Sequence, residues 1–349
     1  MVEKVDERTK YKALILRRML FSIICILLIY LLIGISLSIG SIQIPLVEVY
    51  SVILSKIFPY YFSVDSLSEV VIWHLRFPRT IMAVLCGMTL AIAGSKTMAI
   101  LRNPLATPYT LGISASAGFG AALAIVFSRG LLFEGTFLII GNAFLLSLIP
   151  ITIIILYSKK PSANPESIIL MGVAINYIFS ACNTLLQFFA ESDAVKAVVF
   201  WLVGDLARAS WWQIPYVFSV LLLLILISIR MAPDISIMKM GDDQAKALGV
   251  NVEMVRKISL IMACLSTSTV ISFTGAIGFV GLLSTHICRY IIGEDERYLI
   301  PISGLFGANL LLFSDIIARR VIAPAILPVG AITAIMGGPL LIILLLRRK

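Results

Sequence analysis

Charge is what this 349-residue sequence has least of. Lys, Arg, Asp and Glu make up 13% of it, against 60% hydrophobic residues. A soluble domain carries about 25% charged residues, so a freely soluble globular chain is excluded. Histidine occurs twice, and the five cysteines (Cys25, Cys86, Cys182, Cys264, Cys288) are scattered through apolar segments. No spacing among them suggests a metal site or a redox pair. They read as small buried hydrophobes. No hydrophilic stretch is long enough to be a catalytic module. No paired carboxylates and no histidine cluster stand at catalytic spacing. The sequence therefore offers no catalytic residue, no metal ligand and no covalent chemistry of its own.

A nucleotide site is missing as well. Gly94-Ser95-Lys96-Thr97 has the composition of a phosphate loop but not its order. That loop needs contiguous Gly-Lys-Ser/Thr after an earlier glycine, between a strand and a helix. Here the residues lie inside an apolar run. If ATP is used, another chain must bind it.

What the sequence has instead is long apolar runs, near 19–39, 78–100, 109–127, 136–157, 167–190, 213–230, 256–274, 278–292, 301–318 and 328–346. A bilayer needs roughly 20 apolar residues per helix, so these predict an all-α polytopic membrane protein of about ten spans. The run at 278–292 is short for one. A β-barrel does not fit, because the runs are continuous and do not alternate. The first run follows Lys4, Arg8, Lys10, Lys12, Arg17 and Arg18 and is too long for a signal-peptide core. Residues 1–18 are expected to be a cytoplasmic N-terminal segment before the first span.

Ten spans put both termini on one side. The outer side then holds eight basic residues (Lys56, Arg76, Arg79, Arg129, Lys196, Arg208, Arg319, Arg320). Lys96 lies within a span, and the other 19 of the 28 Lys and Arg face inward. Basic loops favour the cytoplasm, so both termini and segment 231–255 are expected there. The net charge of +9 is accounted for by these loops, and no nucleic-acid partner is implied.

Segment 240–250 is a polar island between uncharged runs. Asp242 and Asp243 favour a helix N-terminus. Ala245, Lys246, Ala247 and Leu248 are good helix formers. Gly249 ends the helix as a C-terminal glycine does. The expectation is a short exposed helix at the membrane surface, suited to docking in a cleft of another protein. In the fifth span, Asn176, Ser180, Asn183 and Gln187 fall on one helix face. They either bond neighbouring helices or line a solute pathway. Ser266, Thr267, Ser268 and Thr269 are explained equally by bonds back to the backbone. Lys96 either stays in the span or extends toward the inner surface. Asp315 and Arg319 stand at i,i+4 and predict an ion pair. Arg76 and Arg79, at the start of the second span, either anchor to headgroups or receive carboxylates from an external partner.

Several stretches together resemble one family. They are Leu75-Arg76-Phe77-Pro78-Arg79, Arg102-Asn103-Pro104-Leu105-Ala106 with Pro108 and Leu111-Gly112, Gly241 through Gly249, Gly275 through Leu282 with His286 and Arg289, Asp315 with Arg319, and Leu327-Pro328-Val329-Gly330 with Gly338-Pro339. They are similar to the membrane permeases of ABC importers for iron-siderophore, haem and vitamin B12.

The resemblance implies a single transmembrane domain over 1–349 with the type II importer permease fold, working as a homodimer in the cell membrane. It implies that Gly241, Asp242, Asp243, Ala245, Leu248 and Gly249 form a loop that docks on a separate ATP-binding subunit. Two such subunits would carry ATP and Mg, and this chain would bind no cofactor. Arg76, Arg79 and Arg319 would meet an external substrate-binding protein. Asn176, Ser180, Asn183 and Gln187 would line the pathway, with Asn164, Pro165 and Glu166 near its inner gate. Asn103, Pro104 and Pro108 would shape a structural turn. Thr285 and Met98 depart from the family pattern, which leaves the substrate open. Two other readings remain: molybdate or tungstate uptake by a permease of the same fold, and an ion-coupled carrier working alone.

Overall fold

In a bilayer every backbone polar group must be satisfied within the protein, which favours helices over open strands. The computed structural model describes residues 2–40, 42–56, 58–62, 64–128, 130, 137–158, 160 and 164–346, and contains no strand among them. Arg129, Lys159, Arg347, Arg348 and Lys349, which enter the charge count, lie outside the described residues. The helices in order are α1 (Val2–Ser38), α2 (Leu46–Ser55), α3 (Ser66–Glu69), α4 (Phe77–Leu101), α5 (Ile113–Phe127), α6 (Leu138–Tyr157), α7 (Pro165–Phe188), α8 (Ser192–Val203), α9 (Ile214–Met238), α10 (Asp242–Ala247), α11 (Val252–Thr274), α12 (Val280–Ile292), α13 (Glu296–Arg320) and α14 (Val329–Leu346). A π-helical turn, Val70–Arg76, leads into α4.

Each of the ten predicted runs falls on a helix. Seven are long and apolar enough to cross a membrane. The other three, α5, α12 and α14, are 15, 13 and 18 residues long. Helix α12 is short because an extended turn through Gly275 (φ 74°) precedes it, so it starts part-way along α4. A Cβ on Gly94 of α4 would lie 2.8 Å from Gly281 Cα.

The core sits around α4. Its most apolar window is 89% buried, against 22% for α7 and for α9. Lipid tails are as apolar as leucine, so close packing rather than hydrophobicity brings such helices together. Small residues permit it. A side chain at Gly87 would run into the backbone of Gly307 on α13, and one at Gly120 into Asn142 on α6.

Helix polarity then sorts the polar residues to two ends. Arg76 and Arg79 lie at the start of α4, and Arg102 caps its finish. At the Arg102 end, Arg18 of α1 pairs with Asp295 before α13 (3.5 Å), and Lys239 after α9 pairs with Glu296 (3.2 Å). At the other end Ser36 of α1 meets Thr80 of α4 (2.8 Å).

Candidate functional site

The predicted short helix is present as α10, at the Arg102 end. Gly241 precedes it at φ 131°. Gly249 follows at φ 86°. The N–H of Val250 donates to Ala245 O (3.0 Å) and that of Gly249 to Lys246 O (3.0 Å). This paired closure is the Schellman motif, which favours glycine at the left-handed position. Ala245 is fully buried, while Met240 and Leu248 are 65% and 63% exposed. Asp243, Gln244 and Lys246 are exposed too. The outward side therefore mixes two large apolar side chains with charges.

Asp242 begins α10, and its side chain also turns to the helix bundle. Arg256 of α11 donates through Nη2 to both its carboxylate oxygens (2.8 and 2.7 Å). Arg102 Nη2 lies 3.2 Å from Oδ1. In the sequence nothing ties Arg102 or Arg256 to Asp242, because these pairings cross between helices and leave no periodic signal.

The turn after α4 is held from three sides. Asn103 Oδ1 accepts from Leu105 N–H (2.8 Å). His286 Nε2 of α12 lies 2.9 Å from Pro104 O. Beyond Pro108, the Tyr109 hydroxyl donates to Ile277 O (2.7 Å) and accepts from Ile277 N–H (3.0 Å). Arg102 and Asn103 also line a cavity of about 370 Å³ shared with Asn164, Pro165, Glu166 and Ile169. Asn164 and Ser167 form a capping box that starts α7 (2.8 and 3.1 Å), with Pro165 following the cap.

Along α7 the polar stripe divides. Asn183 is buried and its Nδ2 donates to Ala115 O of α5 (3.1 Å). Asn176 and Gln187 are half-buried and Ser180 is exposed. Helix–helix bonding thus accounts for Asn183, and Ser180 opens outward. Among the α11 hydroxyls, Ser266 and Thr269 bond back to Met262 O (2.6 Å) and Leu265 O (3.0 Å).

Lys96 does not extend to the surface. It is fully buried, its Nζ 3.4 Å from Ser228 Oγ of α9. Gly94-Ser95-Lys96-Thr97 lies wholly inside α4, with no loop to wrap a phosphate.

At the opposite end the expected ion pair exists and is larger than two residues. Asp315, fully buried, accepts from Arg79 Nε (2.8 Å) and lies 3.0 Å from Arg319 Nη2. Arg319 also donates to Ser36 O (2.9 Å), and Arg76 to Leu37 O (2.8 Å), Ser38 O (3.0 Å) and Ile42 O. All three arginines are 6–7% exposed. Their donors turn into the chain, and Asp205, 3.7 Å from Arg79, is partly open beside them. Trp73, Phe77 and Trp211 cluster nearby in tilted and edge-on contacts (centroids 4.9–5.5 Å apart), and aromatic residues are enriched at membrane interfaces.

Long apolar helices with small-residue contacts and a turn-held surface helix at one end are the architecture of a multi-pass membrane protein. The model of the FecCD transport family matches residues 26–347, and the chain belongs to that family. Among relatives, the hemin transport system permease protein HmuU of Yersinia pestis is 35% identical, over 79% of this chain and 84% of its own. The vitamin B12 import system permease protein BtuC of Klebsiella pneumoniae is 33% identical, over 95% of each. A solved metal-chelate type ABC transporter in an inward-facing conformation superposes with a TM-score of 0.81 at 27% identity, covering 93% of this chain and 98% of that one.

Proposed function

We propose that this permease is one half of an ABC importer that carries a metal chelate, such as an iron-siderophore, haem or cobalamin, into the cytoplasm by alternating access. The observation that carries the reading is α10. It is a short helix with Met240 and Leu248 exposed, set at the end that the positive-inside count assigns to the cytoplasm. A separate ATPase subunit docks there and supplies ATP, Mg and hydrolysis. The subunit pairs with a second copy of itself. Helix α7, with Tyr177 and Phe188 73% and 79% exposed, has the open face that such pairing and a shared pathway need. Asn176, Ser180 and Gln187 line that pathway, and Asn164, Pro165 and Glu166 flank its inner mouth. Both termini are cytoplasmic.

A substrate-binding protein docks at the end that holds Arg76, Arg79 and Arg319. For these three to meet its carboxylates they must exchange partners with Asp315 and the α1 carbonyls. Arg208 and Arg320, exposed at the same end, need no exchange. Arg76→Glu is therefore expected to weaken capture of the binding protein mainly by disturbing this end, and Arg208→Glu by removing a contact. The second loss should shrink at high salt, where exposed charges are screened. Capture that ignores all of these changes would contradict the assignment.

The oxyanion reading rests on Lys96 lying near the pathway, and that side chain is enclosed between α4 and α9. Uptake by vesicles containing the permease, its ATPase and its binding protein separates the substrate classes. Haemin, ferric hydroxamate or cyanocobalamin should be imported and molybdate should not. Import of molybdate alone would overturn the chelate assignment.

A further inference from the structure

Arg102 carries a feature that its role as a helix end does not explain. It closes α4 in the left-handed conformation, φ 48° and ψ 33°. Glycine is the residue that adopts this without strain, and a non-glycine there is strained. The position keeps an arginine all the same. From it the side chain reaches Asp242 of α10 (3.2 Å) and passes beneath Gly241, whose added Cβ would lie 3.9 Å from Nη1. The same residue lines the cavity against Asn164 and Glu166 at the start of α7. One side chain thus pairs with the surface helix and faces, across a shared cavity, the start of a sparsely buried spanning helix.

We propose that Arg102 is a positioning residue that hands movement of α10 to the start of α7, so that ATPase motion reaches the inner gate through the turn after α4. This rests on the reading of α10 as the ATPase dock. Asp242 is the shared anchor. Arg256 fixes it to α11 and Arg102 fixes it to α4, so displacement of α10 pulls both helices. The left-handed backbone at Arg102 aims the guanidinium at α10, whereas a helical residue there would continue the α4 spiral.

The test uses the complete complex with its ATPase in nanodiscs. In a Cys182→Ser background, Ile169→Cys, which lines the cavity, reports gate movement through its labelling rate with a membrane-impermeant maleimide. In this parent, ATP with vanadate should change the rate by about fivefold or more, the low end of ordinary coupling between sites. Arg102→Gly removes the side chain and relieves the backbone. It should keep ATPase binding, ATP hydrolysis and thermal stability, while the ATP response of the Ile169→Cys label collapses. Arg102→Asn, which also tolerates the left-handed region, should behave the same way if the glycine variant folds poorly. Leu248→Asp should abolish ATPase binding. If it does and Arg102→Gly leaves the labelling response intact, the relay is wrong and the dock stands. Loss of ATPase binding in Arg102→Gly would make Arg102 a support for the dock alone and overturn the relay. Retained ATPase binding in Leu248→Asp would overturn the dock itself. A parent whose labelling ignores ATP would remove the gate and the relay together.

Discussion

Gly249 and Arg102 both occupy the left-handed region, and the chain treats them differently. A Cβ on Gly249 would touch nothing within 4 Å, so a substitution there strains only the backbone. Gly249→Val should cost about 1–3 kcal/mol locally, enough to disorder a six-residue helix without disturbing the bilayer-spanning core. Membrane insertion is expected to stay normal while substrate-stimulated ATP hydrolysis falls. Unchanged stimulation would make segment 241–249 a plain connector. Asp315 is the opposite case. Its carboxylate pairs with two buried guanidiniums, and breaking a buried pair by removing one partner costs about 3–5 kcal/mol. Asp315→Ala should therefore lower the thermal midpoint of the purified permease sharply. A midpoint shifted no further than by an exposed control such as Asp193→Ala would show that the cluster is solvated. The Asp315–Arg319 pair is legible in the sequence because its partners are one helical turn apart. The third member, Arg79, stands 236 residues away from Asp315 and no local pattern announces it.

Among the elements, close packing of α4 makes a sharp prediction. A side chain on Gly94 would meet the backbone of Gly281, whereas one on Gly338 would meet nothing. Gly94→Leu should prevent α12 from seating and reduce the amount of folded protein recovered in detergent. Gly338→Leu should be recovered normally, and equal recovery of both would argue against the contact. The N-cap of α13 gives a pH test. Hydrogen bonds from the Arg297 side chain, then from its backbone N–H, with charge from Arg297 and Arg18, hold the Asp295 carboxyl below its ordinary range despite some burial. A depressed carboxylate stabilises the fold above its unfolded pKa of about 3.9, and this is lost as pH falls through the lower folded value. The midpoint difference between the parent and Asp295→Asn should therefore shrink only in acid below that range. A constant difference would exclude the cap charge.

Helices that the sequence locates, including α10 and the ten apolar runs, depend on period, length and capping. Those it hides depend on what surrounds them. Helix α8 is a 12-residue segment too short for a span. The π-helical turn before Arg76 has no marker in composition. Helix α12 is recognisably short from its run of apolar residues, but its depth follows from Gly281 meeting Gly94 across the bundle.

For the whole molecule, the scarcity of charge marks a membrane chain, and the sidedness in the functional proposal rests on the distribution of the few basic residues. The same sparseness makes the polar contacts informative, because each must be satisfied inside the protein. One end gathers Arg79, Asp315 and Arg319 into a closed cluster that joins α1, α4 and α13. The other gathers Arg102, Asp242 and Arg256 around an exposed helix. A closed cluster at one end and an exposed helix at the other, joined by a deeply buried α4, are what the proposed function asks of a subunit moved by another protein. The polar residues of α7 are legible as a stripe, but the stripe alone gives no reason to separate Asn183, which bonds to α5, from Ser180, which faces outward.

The most direct measurement is uptake of labelled haemin, ferric hydroxamate and cyanocobalamin into proteoliposomes, with the permease alone under an ion gradient and with its ATPase, binding protein and ATP. The account predicts uptake of at least one chelate only in the second arrangement, abolished by omitting ATP. Gradient-driven uptake by the permease alone would contradict it.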